Sequence, residues 1–276
     1  MTVKPNFVGI GGQKCASTWL SECLRSHPNV FMSSPKELRY FVDHEKKGIA
    51  WYLSFFDNAG GYQCRGEFAS NYIYFPESAA KIREALGEVK IIAVVREPAG
   101  RVLSHIKHLI RDGDLPPMEG VIDESKLKQI VDKHPKVISN SFYFEGLASY
   151  RSAFGASSVY VVSQAACEKK TSEVLSKLWR FLGVSSDVIV GDAENVVSAG
   201  VNPRFYCLEK LRRKIFSSVK YSAPWLINAS KKIGVSSAYR KVNQGRSIDL
   251  DQSSIDFVYA KCGRDWEKTQ SILDVN

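Results

Sequence analysis

No run of apolar residues in this chain approaches the roughly 18 positions that a bilayer-spanning helix requires, so nothing reads as a transmembrane segment. The opening residues, MTVKPNFVGI, lack the apolar core of a signal peptide, and their one apolar run reads as a core strand. The expectation is a cytoplasmic protein, unless a leader was trimmed. CxxC pairs are missing too. The six cysteines (15, 23, 64, 167, 207 and 262) show no metal-ligand spacing and read as small core residues, reduced in a cytosolic chain. A bond between Cys207 and Cys262 stays open. Repeats and low-complexity segments are also absent. What is present is ordinary and globular: 276 residues, 44% hydrophobic and 24% charged, enough to bury one sizeable core. Acidic residues are too few to balance the basic ones. The net charge of +9 points to an acidic ligand, for which nucleic acid, anionic glycan and anionic nucleotide all qualify. Much of that excess lies in Lys210, Arg212, Arg213, Lys214, Lys220, Lys231, Lys232, Arg240 and Lys241, where a solvated helix face is the competing reading.

The stretch from Phe7 to Leu20 organises the chain. NFVGI has the length and side chains of a buried strand. Gly9, Gly11 and Gly12 let the backbone turn and approach a ligand without a Cβ in the way. Ser17 and Thr18 are candidates to cap the helix STWLSECLRSH, whose Trp19, Leu20, Cys23 and Leu24 recur at helical spacing. A strand, a glycine loop, a lysine and a helix start together present backbone N–H groups to a phosphate, with Lys14 adding a point charge. The alternative is a tight turn with a solvated lysine. A magnesium triphosphate site is disfavoured, because the Walker A pattern needs its hydroxyl directly after the lysine. Here Cys15 and Ala16 intervene before Ser17 and Thr18.

KIIAVV, Lys90 to Val95, is a second buried strand, and it runs straight into Arg96-Glu97-Pro98-Ala99-Gly100-Arg101-Val102-Leu103-Ser104. Open α/β sheets bind ligands at the C-terminal ends of their strands. A triphosphatase would want an aspartate here for magnesium, whereas this strand delivers an arginine. Arg96 and Ser104 could reach one phosphate, with a charge-assisted bond from the guanidinium. Pairing of Arg96 with Glu97 is the competing reading.

The remaining chain reads more coarsely. An extended piece at Asn29 to Met32 precedes a helix start at Pro35, and IAWYLSFF (Ile49 to Phe56) reads as a helix. YQCRGEF is a possible strand, and PESAAKIREAL a helix closed by Gly87. Residues 118–140 are weakly patterned, suiting a substrate-side excursion. Residues 139–154 and 169–183 read as helices flanking a strand at 158–163. Beyond 200 come basic helical stretches, a loop near 243–247 and a final helix from about Gln252.

The spacing Gln13-Lys14-Cys15-Ala16-Ser17-Thr18 resembles the 5′-phosphosulfate loop of sulfotransferases that use 3′-phosphoadenosine 5′-phosphosulfate (PAPS), with Ala16 where that family prefers glycine. The Arg-x-Pro-x-x-Arg-x-x-Ser run from Arg96 resembles their 3′-phosphate segment, in the right order and about 80 residues on. Asn140-Ser141-Phe142-Tyr143 and Phe181-Leu182-Gly183 add weaker likenesses. Within the superfamily, Lys36-Glu37-Leu38-Arg39-Tyr40-Phe41 followed by Gly48-Ile49-Ala50-Trp51-Tyr52 is similar to the carbohydrate branch, including the heparan sulfate sulfotransferases.

The resemblance implies an α/β, P-loop-like three-layer domain with a central, mainly parallel sheet flanked by helices, plus a helical C-terminal region. A single domain, 1–276, would divide into a cofactor-binding core to 195 and a helical part from 196 with a cofactor-covering loop. The implied activity is transfer of a sulfuryl group from PAPS to a hydroxyl, with a carbohydrate the expected acceptor and adenosine 3′,5′-bisphosphate the product. Cofactor contacts are expected from Gly12, Gln13, Lys14, Cys15, Ala16, Ser17, Thr18, Trp19, Arg96, Ser104, Tyr143, Gly245 and Arg246. Glu37 is the implied base, Lys14 stabilises the leaving phosphate, and His108 matches a histidine that assists some N-sulfotransferases. Arg39 and Glu67 are the implied acceptor contacts. No metal and no nucleic-acid partner are expected. Phe68, Arg39 and Gln244 depart from residues common in glycan relatives, so acceptor identity and oligomeric state stay open. The rivals are an atypical P-loop phosphotransferase and a non-catalytic binder of anionic glycan or nucleic acid.

Overall fold

The structure is a computed structural model and describes residues 3–186, 188 and 247–275. The basic stretches beyond 200, Cys207 and the loop at 243–246 lie outside these residues. The described chain divides into two compact units. The first gathers residues up to Arg101, Ile138 to 186, and Lys261 onward; the second holds Val102–Val137 and 247 to Ala260.

The first unit is built on a five-stranded sheet of order β2-β3-β1-β4-β6, with every pair parallel. Its strands are β1 (Phe7–Gly11), β2 (Val30–Met32), β3 (Cys64–Phe68), β4 (Lys90–Val95) and, beyond a short β5, β6 (Val159–Ser163). β1 and β6 are buried at every position and β4 at all but its first, as a parallel sheet covered on both faces requires. The chain leaves β1 towards β2 and returns through β3, then crosses to β4 on the other side. β1 is thus the point where winding reverses, which is where such sheets bind ligands.

Flanking helices include α1 (Ser17–Ser26), α2 (Ile49–Ser54), α3 (Glu77–Leu86) and the start of α4 (Pro98–Asp112). After β5 (Gly120–Ile122), α5 (Glu124–Lys133) and α6 (Lys136–Ser139) come α7 (Phe144–Phe154), α8 (Gln164–Lys169) and α9 (Thr171–Leu182). α9 turns Val174, Leu175, Leu178, Trp179 and Leu182 inward and ends on Gly183 in the left-handed region. Behind β6, Asp274 N–H donates to the Val161 carbonyl at 2.8 Å, and its carboxylate accepts the Val161 N–H at 2.7 Å.

The second unit pairs β5 with β7 (Ile248–Leu250) in a two-stranded parallel sheet. Asp123 caps α5 by accepting from Lys126 N–H at 2.8 Å. α10 (Gln252–Gln270) supplies the helical C-terminal region. Among the described residues no helix is long and apolar enough to cross a membrane.

Several expectations change. No helix starts at Pro35: residues 33–39 form an irregular loop leading into a π-helical turn at Tyr40–His44, because Glu37 and Arg39 take left-handed angles. The helix expected from 139 begins at Phe144, where the Asp265 carboxylate accepts the Tyr143 and Phe144 N–H groups. The helix expected over 169–183 breaks at Lys170, separating α8 from α9. Cys262 is a buried free thiol.

Close backbone packing sets the one glycine that α7 cannot lose. A Cβ at Gly146 would collide with the Ile73 carbonyl oxygen, a backbone atom with no rotamer to move. Gly146→Ala is expected to lower stability by about 2–3 kcal/mol, read as a drop in the urea midpoint. An unchanged midpoint would show that α7 does not pack this tightly.

Candidate active site

The β1–α1 loop stands at the C-terminal end of the central strand and is tethered from three directions. Gly12 N–H donates to the Val94 carbonyl of β4. Gln13 N–H donates to the Tyr74 hydroxyl at 2.9 Å, and Asn140 Nδ2 donates to Gln13 Oε1 at 2.9 Å. Arg96 Nη1 reaches the Lys14 carbonyl at 3.4 Å. The two sequence motifs, separated by about 80 residues, therefore meet. Gly12 is needed for space, since a Cβ there would lie 3.0 Å from the Tyr74 hydroxyl and 3.1 Å from the Tyr143 ring.

Beneath the loop lies a buried brace. Cys15 donates its thiol to the Gln13 carbonyl at 3.3 Å and lies 3.5 Å from the Tyr143 hydroxyl, which donates to the Arg96 carbonyl at 3.1 Å. Burial pushes the Cys15 thiol up, against the Tyr143 hydrogen bond and the charges of Arg101, Arg96 and Lys14. The charges of those three residues reach the thiol without reversing that rise. Arg101, wholly buried, donates from Nε to Ser141 Oγ at 2.6 Å.

Helix ends differ sharply here. α4 is capped by Glu97, whose two oxygens take the Ala99 and Gly100 N–H groups at 2.6 and 2.8 Å. α1 has Ala16 at its cap, no side-chain cap bond and no acidic residue in its first turn. Ser17 and Thr18 were expected as caps but sit inside the first turn, Ser17 buried and Thr18 exposed. The first-turn N–H groups of α1 and the positive end of its dipole face a loop already carrying Lys14.

The four non-glycine residues with positive φ among the described residues all fall in two loops: Lys14 and Ala16 after β1, Glu37 and Arg39 before the π-helical turn. Such angles cost about 1–2 kcal/mol apiece and concentrate at functional sites. Glu37 Oε1 accepts from Ser70 Oγ at 2.6 Å and from Lys36 Nζ at 3.3 Å, and its side chain remains 30% exposed. The Lys36 ammonium also lies 5.9 Å from the centre of the Phe68 ring. Arg39 points its Nε at Asp43, 2.6 Å away.

Other expected site residues lie elsewhere. Glu67 is wholly buried, so its side chain cannot touch an acceptor; desolvation overrides that expectation. Tyr143 and Trp19 are also buried, Tyr143 as the brace and Trp19 in the core. Ser104 and His108 belong to the part of α4 in the second unit, where His108 Nδ1 faces Arg111 and, at 3.1 Å, Asp112. Gly245 and Arg246 lie outside the described residues. Among the described residues no group of three or more His, Cys, Asp or Glu is placed to hold a metal ion. Sequence reading passed over Arg101 and Asn140, though both stand inside segments it singled out, and over Ser70, Tyr74 and Asp265, for which local sequence carries no signal.

No protein-family model matches the chain. A sulfotransferase of Alicyclobacillus acidocaldarius superposes with a TM-score of 0.58 at 22% identity, covering 76% of this chain and 94% of that one. The chain has a sulfotransferase fold. In sequence it is similar to the membrane-associated sulfotransferase kil1 of Dictyostelium discoideum, 32% identical over 42% of this chain and 26% of that protein. It is also similar to human heparan sulfate glucosamine 3-O-sulfotransferase 3B1, 26% identical over 65% of this chain and 46% of the relative. The sulfotransferase-fold chain thus matches less than half the length of these curated relatives.

The strained cap yields a test. Glycine tolerates the left-handed angle that Ala16 adopts at φ 70° and serves better than alanine at a helix cap. Ala16→Gly is expected to stabilise the protein by about 0.5–1 kcal/mol in urea unfolding. A loss of stability would mean that Ala16 is not held in this conformation.

Proposed function

We propose that the chain is a PAPS-dependent sulfotransferase acting on a hydroxyl of a carbohydrate. The observation that carries this reading is the contact between Arg96 and the Lys14 carbonyl, which sets two anion-binding segments side by side above an uncapped helix N-terminus. The residues fit the cofactor. The α1 amides and Lys14 suit a 5′-phosphosulfate, and Arg96 suits a 3′-phosphate. Bound there, PAPS supplies an activated sulfuryl group whose leaving partner is a phosphate anion.

Lys14 and the loop N–H groups stabilise the negative charge that grows on that phosphate. Glu37 takes the proton of the attacking hydroxyl, so that the oxygen is nucleophilic as it meets sulfur. Ser70 and Lys36 orient the Glu37 carboxylate through Oε1, leaving Oε2 for the acceptor. The names of the relatives support a glycan acceptor, and a net charge of +9 suits one that is itself anionic.

Calorimetric titration with adenosine 3′,5′-bisphosphate tests the cofactor site. Binding is expected without magnesium, weakened about 10- to 100-fold in Lys14→Ala and in Arg96→Ala. Glu37→Gln should keep that affinity while losing about 100-fold or more in turnover. Preference for magnesium ATP would overturn the reading in favour of a phosphotransferase. Retention of all measurable function in Glu37→Gln would favour a binding protein.

A further inference from the structure

Glu67 occupies the fourth position of β3 and is closed off from solvent, yet both its oxygens are in use. Leu38 N–H donates to Oε2 at 3.2 Å. The Tyr72 hydroxyl donates to Oε1 at 2.9 Å and itself accepts the Phe41 N–H at 3.4 Å. One buried carboxylate therefore grips the Glu37 loop at two backbone points. The first is the peptide directly after Glu37, and the second lies two residues past Arg39. Glu37 and Arg39 are the two left-handed residues of this loop, at φ 65° and 53°. A strained loop persists only where its surroundings over-determine it, and Glu67 supplies that constraint from below.

We infer that Glu67 is a positioning residue for the proposed sulfuryl transfer, holding Glu37 at the acceptor by clamping Leu38 directly and Phe41 through Tyr72. This role rests on the reading of Glu37 as base. It explains why a carboxylate sits where an apolar side chain would be cheaper to bury: two converging donors need an acceptor-only group.

The clamp has a pH signature. Burial pushes the Glu67 carboxyl up to about 7, against hydrogen bonds from Tyr72 and Leu38 N–H, with the Glu37 charge adding to the rise. The ionisable groups facing it are Glu37 from the loop, Tyr72 from the turn after β3, Tyr52 from α2 and Tyr150 from α7. Protonation turns one acceptor oxygen into a donor, so the clamp weakens as pH falls through 7. Because the carboxyl holds its proton more tightly folded than unfolded, this group's contribution to stability falls as pH rises from about 4.5 to about 7. Turnover and stability therefore run in opposite directions over that window.

The test compares the full-length chain with Glu67→Gln and Tyr72→Phe. In the wild type, kcat with PAPS and acceptor is expected to rise through an inflection near pH 7. Glu67→Gln should lose about 10- to 100-fold in kcat, lose the inflection, and keep its affinity for adenosine 3′,5′-bisphosphate. Tyr72→Phe should lower kcat and keep an inflection displaced to higher pH, since the carboxylate remains but loses the hydrogen bond that opposes its rise. Wild-type kcat and pH profile in Glu67→Gln would overturn the role; if that variant does not fold, full kcat in Tyr72→Phe does so. Amide hydrogen exchange at Leu38 and Phe41, expected to quicken in either variant, reads the clamp without activity. Quickened exchange in the variants beside a wild type that binds no bisphosphate would sink the functional reading alone; unchanged exchange in the variants would sink the clamp.

Discussion

The structure depends on keeping the peptide between Gly12 and Ser17 in a shape it would not hold alone. Lys14 and Ala16 both take left-handed angles, and four tethers hold them there: Val94 on Gly12, Tyr74 on Gln13, Arg96 on Lys14, and the Cys15–Tyr143 contact. These tethers come from β4, from the turn after β3 and from the segment before α7. The loop is consequently ordered only when the sheet on either side of β1 has formed. A site fixed by the fold binds an anion without reorganising, which is how aligned dipoles become useful to charge developing in a reaction.

Polar burial in the first unit follows one pattern. Glu67, Arg101 and Ser141 are withdrawn from water and Asp265 is half-buried, and the named partners of each lie at a loop or a helix start. Asp265 offers the plainest case. Burial raises its carboxyl, and the Tyr143 and Phe144 amides together with Thr269 oppose that rise. The same bonds start α7 at Phe144 and leave Tyr143 free to turn its hydroxyl towards Arg96. A carboxylate on the last helix therefore sets the brace under the first loop.

What the sequence made legible was periodic or conformationally expensive. β1, β4 and β6 announced themselves by branched apolar runs, α9 and α10 by stripes at helical spacing, and the β1–α1 loop by its glycines and lysine. The sulfotransferase fold followed from the order of two motifs. What stayed hidden was decided by distant partners. Nothing near Pro35 reveals that Glu67 will take the Leu38 amide and keep residues 33–39 from forming a helix. Nothing near residue 139 shows that Asp265 will postpone α7 to Phe144. β5 and β7, three residues each, are too short to carry a period. Among site residues, Lys14 and Arg96 were visible because charge beside glycine or at a strand end is conspicuous. Glu67 was visible as a carboxylate but not as a buried one, since burial belongs to the sheet rather than to the residue.

The two helix starts beside β1 and β4 differ in what their caps supply. Both follow a buried parallel strand, and both offer amides at the positive end of a dipole. At α4 the chain places Glu97 directly after Arg96, and the carboxylate spends both oxygens on the Ala99 and Gly100 amides. That end is satisfied internally, and a second anion there would meet a negative charge. At α1 the corresponding position is Ala16, which has no side-chain oxygen to offer. No side chain caps that end, and no acidic residue stands in its first turn. Arg96 reaches across to the Lys14 carbonyl, so that the cation of the second motif lies against the loop before α1. A single carboxylate present at one cap and absent from the other thus sets apart two helix starts that the sheet places side by side, and leaves the α1 end the more electropositive.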